Sequence, residues 1–251
     1  MNIVVAFKVV PDDQDIQVAA DRSLDYSKAK GVVSAYDLNA FEAAAQIAAD
    51  QGGSVKAVTV GGSSIDDSKL KKNVLARGAD ELFMVADDGC ESLDAHATAG
   101  QIAGLLEKVG AYDLILCGDG SADNYSQQVD VQLASKLGIP VVNAALSVTI
   151  DGPNAVVVRS LEDVVETVSV PLPAVVSVVP DIAVPRIPGM KDILAAGKKP
   201  MNVESASSVA ANTVEVVSCA APEQVARKKQ VLDASSDGAI SEFVSALKAA
   251  L

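Results

Sequence analysis

Leu116-Cys117-Gly118-Asp119-Gly120-Ser121-Ala122-Asp123-Asn124-Tyr125-Ser126-Gln127-Gln128-Val129 is the stretch that decides the fold. An apolar run at 112–117 breaks off into small and polar residues. A helical pattern then starts near Ser126 and continues through Val129, Leu133 and Leu137, giving a predicted helix at 126–137. That order predicts a strand, a flexible turn and a helix N-terminus. In an open parallel sheet a ligand is expected at such a place. The strand's carboxyl end opens onto a crevice, and the first helical N–H groups lack partners inside the helix. We read the turn as a nucleotide-phosphate site, with a mere connection as the alternative. Gly118-x-Gly120 matches the dinucleotide fingerprint only in part, because Asp123 stands at its third glycine.

Bulk properties agree with an α/β domain. The 251 residues are enough to bury a sizeable core, and 49% apolar with 21% charged residues describe a globular chain. Aromatics are only 3% and tryptophan is absent, so valine and alanine must do the packing, as in buried parallel strands under close-fitting helices. With 33 acidic against 20 basic residues the net charge is -13, which disfavours nucleic acid and anionic membrane surfaces as partners. No amino-terminal stretch has the order of a signal peptide, and no apolar run reaches the roughly 20 residues needed to span a bilayer. A soluble, cytoplasmic protein without membrane insertion is expected. Cys90, Cys117 and Cys219 lie far apart with no C-x-x-C pair, so neither a metal nor a disulfide is expected.

Working outward, 2–7 is a continuous apolar run, 55–60 and 81–85 are further strands, and helices are predicted at 38–48, 66–76 and 94–109. Asp37 is read as the N-cap of the first helix and Gly52-Gly53 as its stop. Residues 12–34 read as an irregular excursion with a hairpin around Asp21-Arg22. Asp12, Asp13 and Asp15 lack the glycine and closing glutamate of a calcium loop, and read as a solvated acidic turn. His96, the single histidine, falls early in a helix and reads as solvated.

Four strands alternating with helices predict right-handed βαβ units in a doubly wound, mostly parallel sheet. The turns at Lys8 to Asp12, Gly61-Gly62 and Gly118 to Asp123 should then share one edge of it. Beyond Gly138 the segments at 141–142, 146–150, 155–160, 164–170 and 174–178 are β-rich, with a turn at Asp151-Gly152-Pro153-Asn154, and predict an added antiparallel hairpin. A short segment at Met190–Ala196 and the basic pair Lys198-Lys199 follow. Residues 1–199 are thus read as the α/β domain and 200–251 as an extended C-terminal arm. An amphipathic helix at 237–251 with Ile240, Phe243, Val244 and Leu247 on one side cannot bury that face alone, so it should pack elsewhere or on a partner chain.

Several segments together resemble the beta subunit of an electron transfer flavoprotein over almost the whole chain. They are Val5-Ala6-Phe7-Lys8-Val9-Val10-Pro11-Asp12, Tyr36-Asp37-Leu38-Asn39-Ala40-Phe41-Glu42-Ala43-Ala44, the turn with Gly118, Asp123, Ser126, Gln128 and Val129, and most specifically Arg159-Ser160-Leu161-Glu162-Asp163-Val164-Val165-Glu166-Thr167-Val168 followed by Pro173-Ala174-Val175-Val176-Ser177. Pro185-Arg186-Ile187-Pro188 and Lys198-Lys199-Pro200 also fit. The Tyr-Asp-Leu-Asn-Ala and Cys-Gly-Asp-Gly-Ser variants look most like the branch associated with nitrogen fixation and carnitine metabolism. Val164 departs from the family's usual acidic residue or glycine, and Asp130 stands where glycine is common.

The resemblance implies a heterodimer with an alpha subunit that carries the electron-transferring FAD. The beta subunit completes that site and holds a second adenine nucleotide, AMP in ordinary carriers or FAD in bifurcating ones. FAD is expected here. By resemblance, Ala6, Phe7, Val9, Ser34, Asn39, Val60 and Gly61 face the base and ribose; Gly118, Asp119, Gly120, Ala122, Asp123, Ser126, Gln127, Gln128 and Val129 surround the phosphates. Met190 falls at an apolar anchor for a partner dehydrogenase or quinone oxidoreductase, a gap-filling core methionine being the alternative. No nucleophile and base pair stands out, so no side-chain catalysis is expected. No basic residue lies between 118 and 130, so Asp119, Asp123 and Asp130 must be turned away or neutralised. A stand-alone ATP- or AMP-binding module is the competing class. A nicotinamide dehydrogenase is disfavoured by the missing third glycine.

Overall fold

In the computed structural model, which describes all residues except 207–211, 225, 228 and 251, the chain opens with β1 (Asn2–Ala6). Ile3, Val4, Val5 and Ala6 are all buried, so both faces of the strand are covered, as a parallel strand requires. The excursion that follows holds β2 (Val9–Pro11), the two-residue segments β3 (Gln17–Val18) and β4 (Leu24–Asp25), and β5 (Gly31–Val33), which pairs antiparallel with β2. Asp12 caps a single 3-10 turn at Asp13–Asp15 that faces solvent, as the acidic-turn reading expects.

Next come α1 (Ala35–Gln51), β6 (Ser54–Gly61), α2 (Ser68–Ala76), β7 (Glu81–Ala86), α3 (Ala95–Val109), β8 (Leu114–Gly118) and α4 (Val129–Leu137). The chain then runs through β9 (Val141–Asp151), β10 (Asn154–Ser160), β11 (Val165–Pro171), β12 (Ala174–Val178), α5 (Met190–Ala196) and β13 (Met201–Glu204). Nine strands form one sheet in the order β11-β10-β9-β12-β8-β1-β6-β7-β13. Strands β9, β12, β8, β1, β6, β7 and β13 are mutually parallel, and β10 and β11 add the antiparallel hairpin at one edge. Alternate residues of β1 enter different cores. Ile3 and Val5 pack with Phe41 and Ile47 of α1 and Leu70 and Val74 of α2, whereas Val4 and Ala6 pack with Ile102 and Leu105 of α3 and Leu133 of α4. The sheet is doubly wound, as the alternation of strands and helices predicts.

Strand order also locates the crevice. From β1 the chain builds β6 and β7 to one side, then crosses to β8, β12 and β9 on the other. Strands β1 and β8 are neighbours whose connections leave in opposite directions, and in open α/β sheets ligands bind outside the carboxyl ends of strands at such a switch point.

Three local expectations are corrected. Asp37 does not cap α1: Ser34 is the N-cap residue, and Asp37 lies within the first turn of the helix and is buried. The helix expected from 126 begins only at Val129, because Tyr125 and Gln127 take left-handed φ values of 45° and 53° that no helix accommodates. The segments at 141–142 and 146–150 are one strand, interrupted by a bulge where Ala144 has φ 57° and the register to β12 shifts. The pattern-poor stretch after 200 also yields an element, because β13 pairs with β7 from Met201↔Leu82 to Glu204↔Val85.

The chain folds as two compact units, one of 1–17 with 25–218 and one of 18–24 with 219–251. The second contains the expected hairpin: Ala19 N donates to Ser23 O, Arg22 has φ 70°, and Asp21 accepts from Ser23. It also contains α6 (Ala239–Ala250), with Leu251 of the expected helix lying outside the described residues. Ala239 is buried, and Ile240, Phe243, Val244 and Leu247 are exposed.

The segment from 180 to 189 is held against α1. Asn39 Nδ2 donates to the carbonyls of Pro180 (3.0 Å) and Ala183 (2.8 Å). Arg186 grips the buried Glu42 with Nε–Oε2 at 2.6 Å and Nη2–Oε1 at 3.1 Å, and this bidentate bond holds the Glu42 carboxyl below its ordinary range. Arg186→Ala is expected to cost about 1–2 kcal/mol, a buried-pair loss discounted for the exposed guanidinium. The loss should be full near neutral pH and fade as pH falls below about 4.5, where Glu42 protonates in the unfolded chain and then in the folded one. Urea midpoints across pH 3–7 check it, and a deficit constant over that range would refute it.

Candidate functional site

Strand β1 ends at Ala6 and β8 at Gly118, and the first turn of α1 lies across both ends. Asp37 ties them together: its Oδ2 accepts from Lys8 N and its Oδ1 from Gly118 N, each at 2.8 Å. Burial pushes the Asp37 carboxyl up to about 7, and the Asp119 charge adds to this, against the two N–H donors and the Lys8 charge, which pull it down. Gly118 is required for the approach. A Cβ there would sit 2.6 Å from Tyr36 Cβ and 2.9 Å from Asp37 Oδ1.

Ser34, fully buried, donates its N–H to Lys8 O (2.9 Å), and its Oγ accepts from Ala122 N (3.2 Å). The α1 N-terminus is thereby joined to the turn after β8. Within that turn Asp119 is 7% exposed; its Oδ2 accepts from the Tyr125 hydroxyl at 2.6 Å, and its Oδ1 is buried without a hydrogen-bond partner. The bond from Asp119 pushes the Tyr125 phenol up to about 12. Tyr125 packs over Gly120, whose hypothetical Cβ would fall 2.2 Å from the ring, and lies 5.2 Å from the Tyr36 ring. Tyr125 is the residue here that the reading of the turn passed over. Its only signal in the sequence is an aromatic in an otherwise small and polar loop.

Each acidic side chain has a donor of its own, and one of them, Asp123, has a cation. Lys8 Nζ meets Asp123 Oδ2 at 2.6 Å, and Ser121 Oγ donates to Asp123 Oδ1 at 2.5 Å. Burial works to raise the Asp123 carboxyl, but these partners outweigh it and hold it below its ordinary value. Asp119 takes Tyr125. Asp130, in the first turn of α4, faces inward and accepts from Ser177 Oγ at 2.6 Å, a position the helix dipole favours. The cation missing from 118–130 thus comes from the end of β1. Cys117 lies among these carboxylates; burial first, then the charges of Asp130, Asp37 and Asp119, push its thiol well above the ordinary range, so it is no nucleophile at neutral pH.

The candidate residues fall into groups. Ala6 and Phe7 at the end of β1, Val60 and Gly61 at the end of β6, and Gly118, Asp119 and Gly120 at the end of β8 share one edge of the sheet; Val9, on the separate β2–β5 pair, and Ser34, the α1 N-cap residue bonded to Lys8 O, follow the end of β1. Phe7 and Ala6 are buried, and the Phe7 ring packs on Phe41 at 5.5 Å. Ala122, Asp123, Ser126, Gln127 and Gln128 form an exposed loop, and Val129 opens α4, whose N-terminus has no side-chain cap. Asn39, on α1, has its amide committed to the carbonyls of Pro180 and Ala183. Met190 is 77% exposed at the start of α5, beside exposed Ile187 and Leu194, so it does not fill a core gap. His96 is exposed on α3. Among the described residues no helix is long and apolar enough to cross a membrane. Residues 23–209 match the family model of the electron transfer flavoprotein domain.

Proposed function

The chain belongs to the electron transfer flavoprotein domain family, and we infer that it serves electron transport in that family's manner. On that premise we propose that it is the beta subunit of a heterodimeric carrier, of the bifurcating type and nearest the nitrogen-fixation and carnitine-metabolism branch. It would pass electrons between a dehydrogenase or NADH and a quinone or low-potential acceptor. FAD occupies its own nucleotide site, AMP being the alternative. One observation carries the reading: the crevice at the β1–β8 switch point unites a cation, Lys8, an unpartnered acceptor, Asp119 Oδ1, and the open N-terminus of α4. An adenine nucleotide presents the matching chemistry, anionic phosphates with hydroxyl and amino donors.

Ala6, Phe7, Val9, Val60 and Gly61 would bound the base and ribose, with Ser34 fixing the distance between α1 and the turn. Gly118 to Gly120, Ala122, Asp123 and Ser126 to Val129 would surround the phosphates. When bound, flavin supplies the redox chemistry. This chain's residues hold and orient it: Asp37 fixes the crevice's width, Tyr125 covers its floor, and the raised Cys117 thiol stays out of the chemistry. Residues 200–251 pack on the alpha subunit, which would cover Ile240, Phe243, Val244 and Leu247 of α6. Met190, carried by the segment that Arg186 and Asn39 fix to α1, docks the partner dehydrogenase or quinone oxidoreductase.

Co-purification with the alpha subunit and release of bound ligand test this directly. Two FAD per heterodimer are expected. One FAD with one AMP would replace the bifurcating reading by the ordinary carrier. A stable monomer that binds ATP without any partner would overturn the subunit assignment in favour of a stand-alone module.

A further inference from the structure

Two side chains at the crevice are held in arrangements that a ligand would improve. Lys8, just past β1, is committed to Asp123 across 115 residues of sequence, yet the pair is part-exposed, with side chains 42% and 27% accessible. Such a pair is weakly held in water. Asp119, in contrast, is buried with one oxygen satisfied by Tyr125 and the other by nothing. A buried unpaired acceptor is unfavourable until a donor reaches it. The loop between these residues keeps Tyr125 and Gln127 in left-handed backbone, which for non-glycine residues is strained and persists only while side-chain contacts enforce it. The contacts that hold the loop include Lys8–Asp123, Tyr125–Asp119, Ser121 on Asp123 and the Tyr125 N–H donated to Ser121 O at 3.1 Å.

Resting on the nucleotide-binding reading above, we propose that Lys8 is a phosphate-binding residue stored on Asp123: a nucleotide phosphate displaces the Asp123 carboxylate from Lys8, the 121–128 loop is released, and Asp119 Oδ1 accepts from a ligand hydroxyl or amino group. Asp123 thus lies beside the phosphate through its backbone, while its side chain competes with the phosphate for Lys8. The exchange is favourable because a phosphate brings more negative charge and more acceptor oxygens than a carboxylate. It leaves Asp123 with Ser121 as donor and with solvent.

Binding of AMP and of FAD to the 251-residue chain, isolated with any subunit that accompanies it and stripped of nucleotide, tests the exchange by calorimetry. Lys8→Gln should weaken AMP binding about 10-fold or more and flatten its salt dependence, with only a small loss in the urea midpoint, as for a part-exposed ion pair. Lys8→Arg should restore most of the affinity. Asp123→Asn, which frees the lysine but keeps an acceptor for Ser121, should bind AMP several-fold more tightly, about 3-fold or more. Native affinity in Lys8→Gln, or weaker binding in Asp123→Asn, overturns the exchange alone. No binding of either nucleotide by the native protein overturns the exchange together with the nucleotide reading on which it rests.

Discussion

Asp37→Ala should lower stability by about 3 kcal/mol at pH 5, because it strips the acceptor from two N–H groups, those of Lys8 and Gly118, at the buried junction of β1 and β8. The pH course is the more telling part. The folded Asp37 carboxyl is raised to about 7 from an ordinary value of 3.8. Between those values the folded state holds a proton that the unfolded chain has released. Native stability therefore falls as pH rises from about 4 to about 7, by an amount on the order of a few kcal/mol, and levels off above that. The alanine variant has no such group, so its deficit should shrink steadily over the same interval. Carboxyls lowered by their partners, such as Glu42 and Asp123, lose their contribution at the acid end of the range and do not mask the effect. Urea denaturation at half-unit steps from pH 4 to 8 measures it. A deficit that stays constant or grows with pH would mean that Asp37 carries no raised pKa in the folded chain.

Gly118→Ala is expected to cost about 3 kcal/mol, the upper part of the range for forcing a methyl into filled space. The added Cβ would meet Tyr36 Cβ at 2.6 Å, the Tyr36 carbonyl carbon at 2.9 Å and Asp37 Oδ1 at 2.9 Å. All three belong to the start of α1, which cannot yield without lifting the helix from the strand. The same move would lengthen the Gly118 N–H bond to Asp37. Gly138→Ala is the proper comparison. Gly138 ends α4 at φ 65° with nothing within 4 Å of a Cβ, so only the left-handed backbone opposes alanine, at about 1 kcal/mol. Equal losses in the two variants would show that steric approach at Gly118 contributes nothing of its own.

Much of this architecture was legible from residue order because it depends on neighbours. The unbroken apolar run at 2–7 could only be a strand covered on both faces, and its alternation with helices forced the doubly wound sheet and put the turn after β8 at its carboxyl edge. What could not be read depends on residues far apart. Asp37 stands directly before Leu38, the first residue of the apolar helical face, and has the appearance of a cap, but its partner Gly118 is 81 positions away. Lys8 and Asp123 are separated by 115. The late start of α4 belongs to the same class. Nothing local forbids helix at Ser126, and it is the packing of Tyr125 on Gly120 and its bond to Asp119 that turn the chain left-handed there. Asp130 reverses the expectation in a useful direction. It faces inward, but Ser177 on the adjoining β12 and the dipole of its own helix stabilise it, so it need not repel a ligand at the rim.

The Tyr36–Tyr125 pair has an optical consequence. The chain has no tryptophan and four tyrosines, so its ultraviolet emission comes from tyrosine alone. Two of those four face each other at 5.2 Å beside the crevice, and one of them holds its phenol against a carboxylate. Unlabelled protein thus carries a native reporter at the mouth of the β1–β8 junction, where ring spacing and phenol hydrogen bonding both change when the loop does.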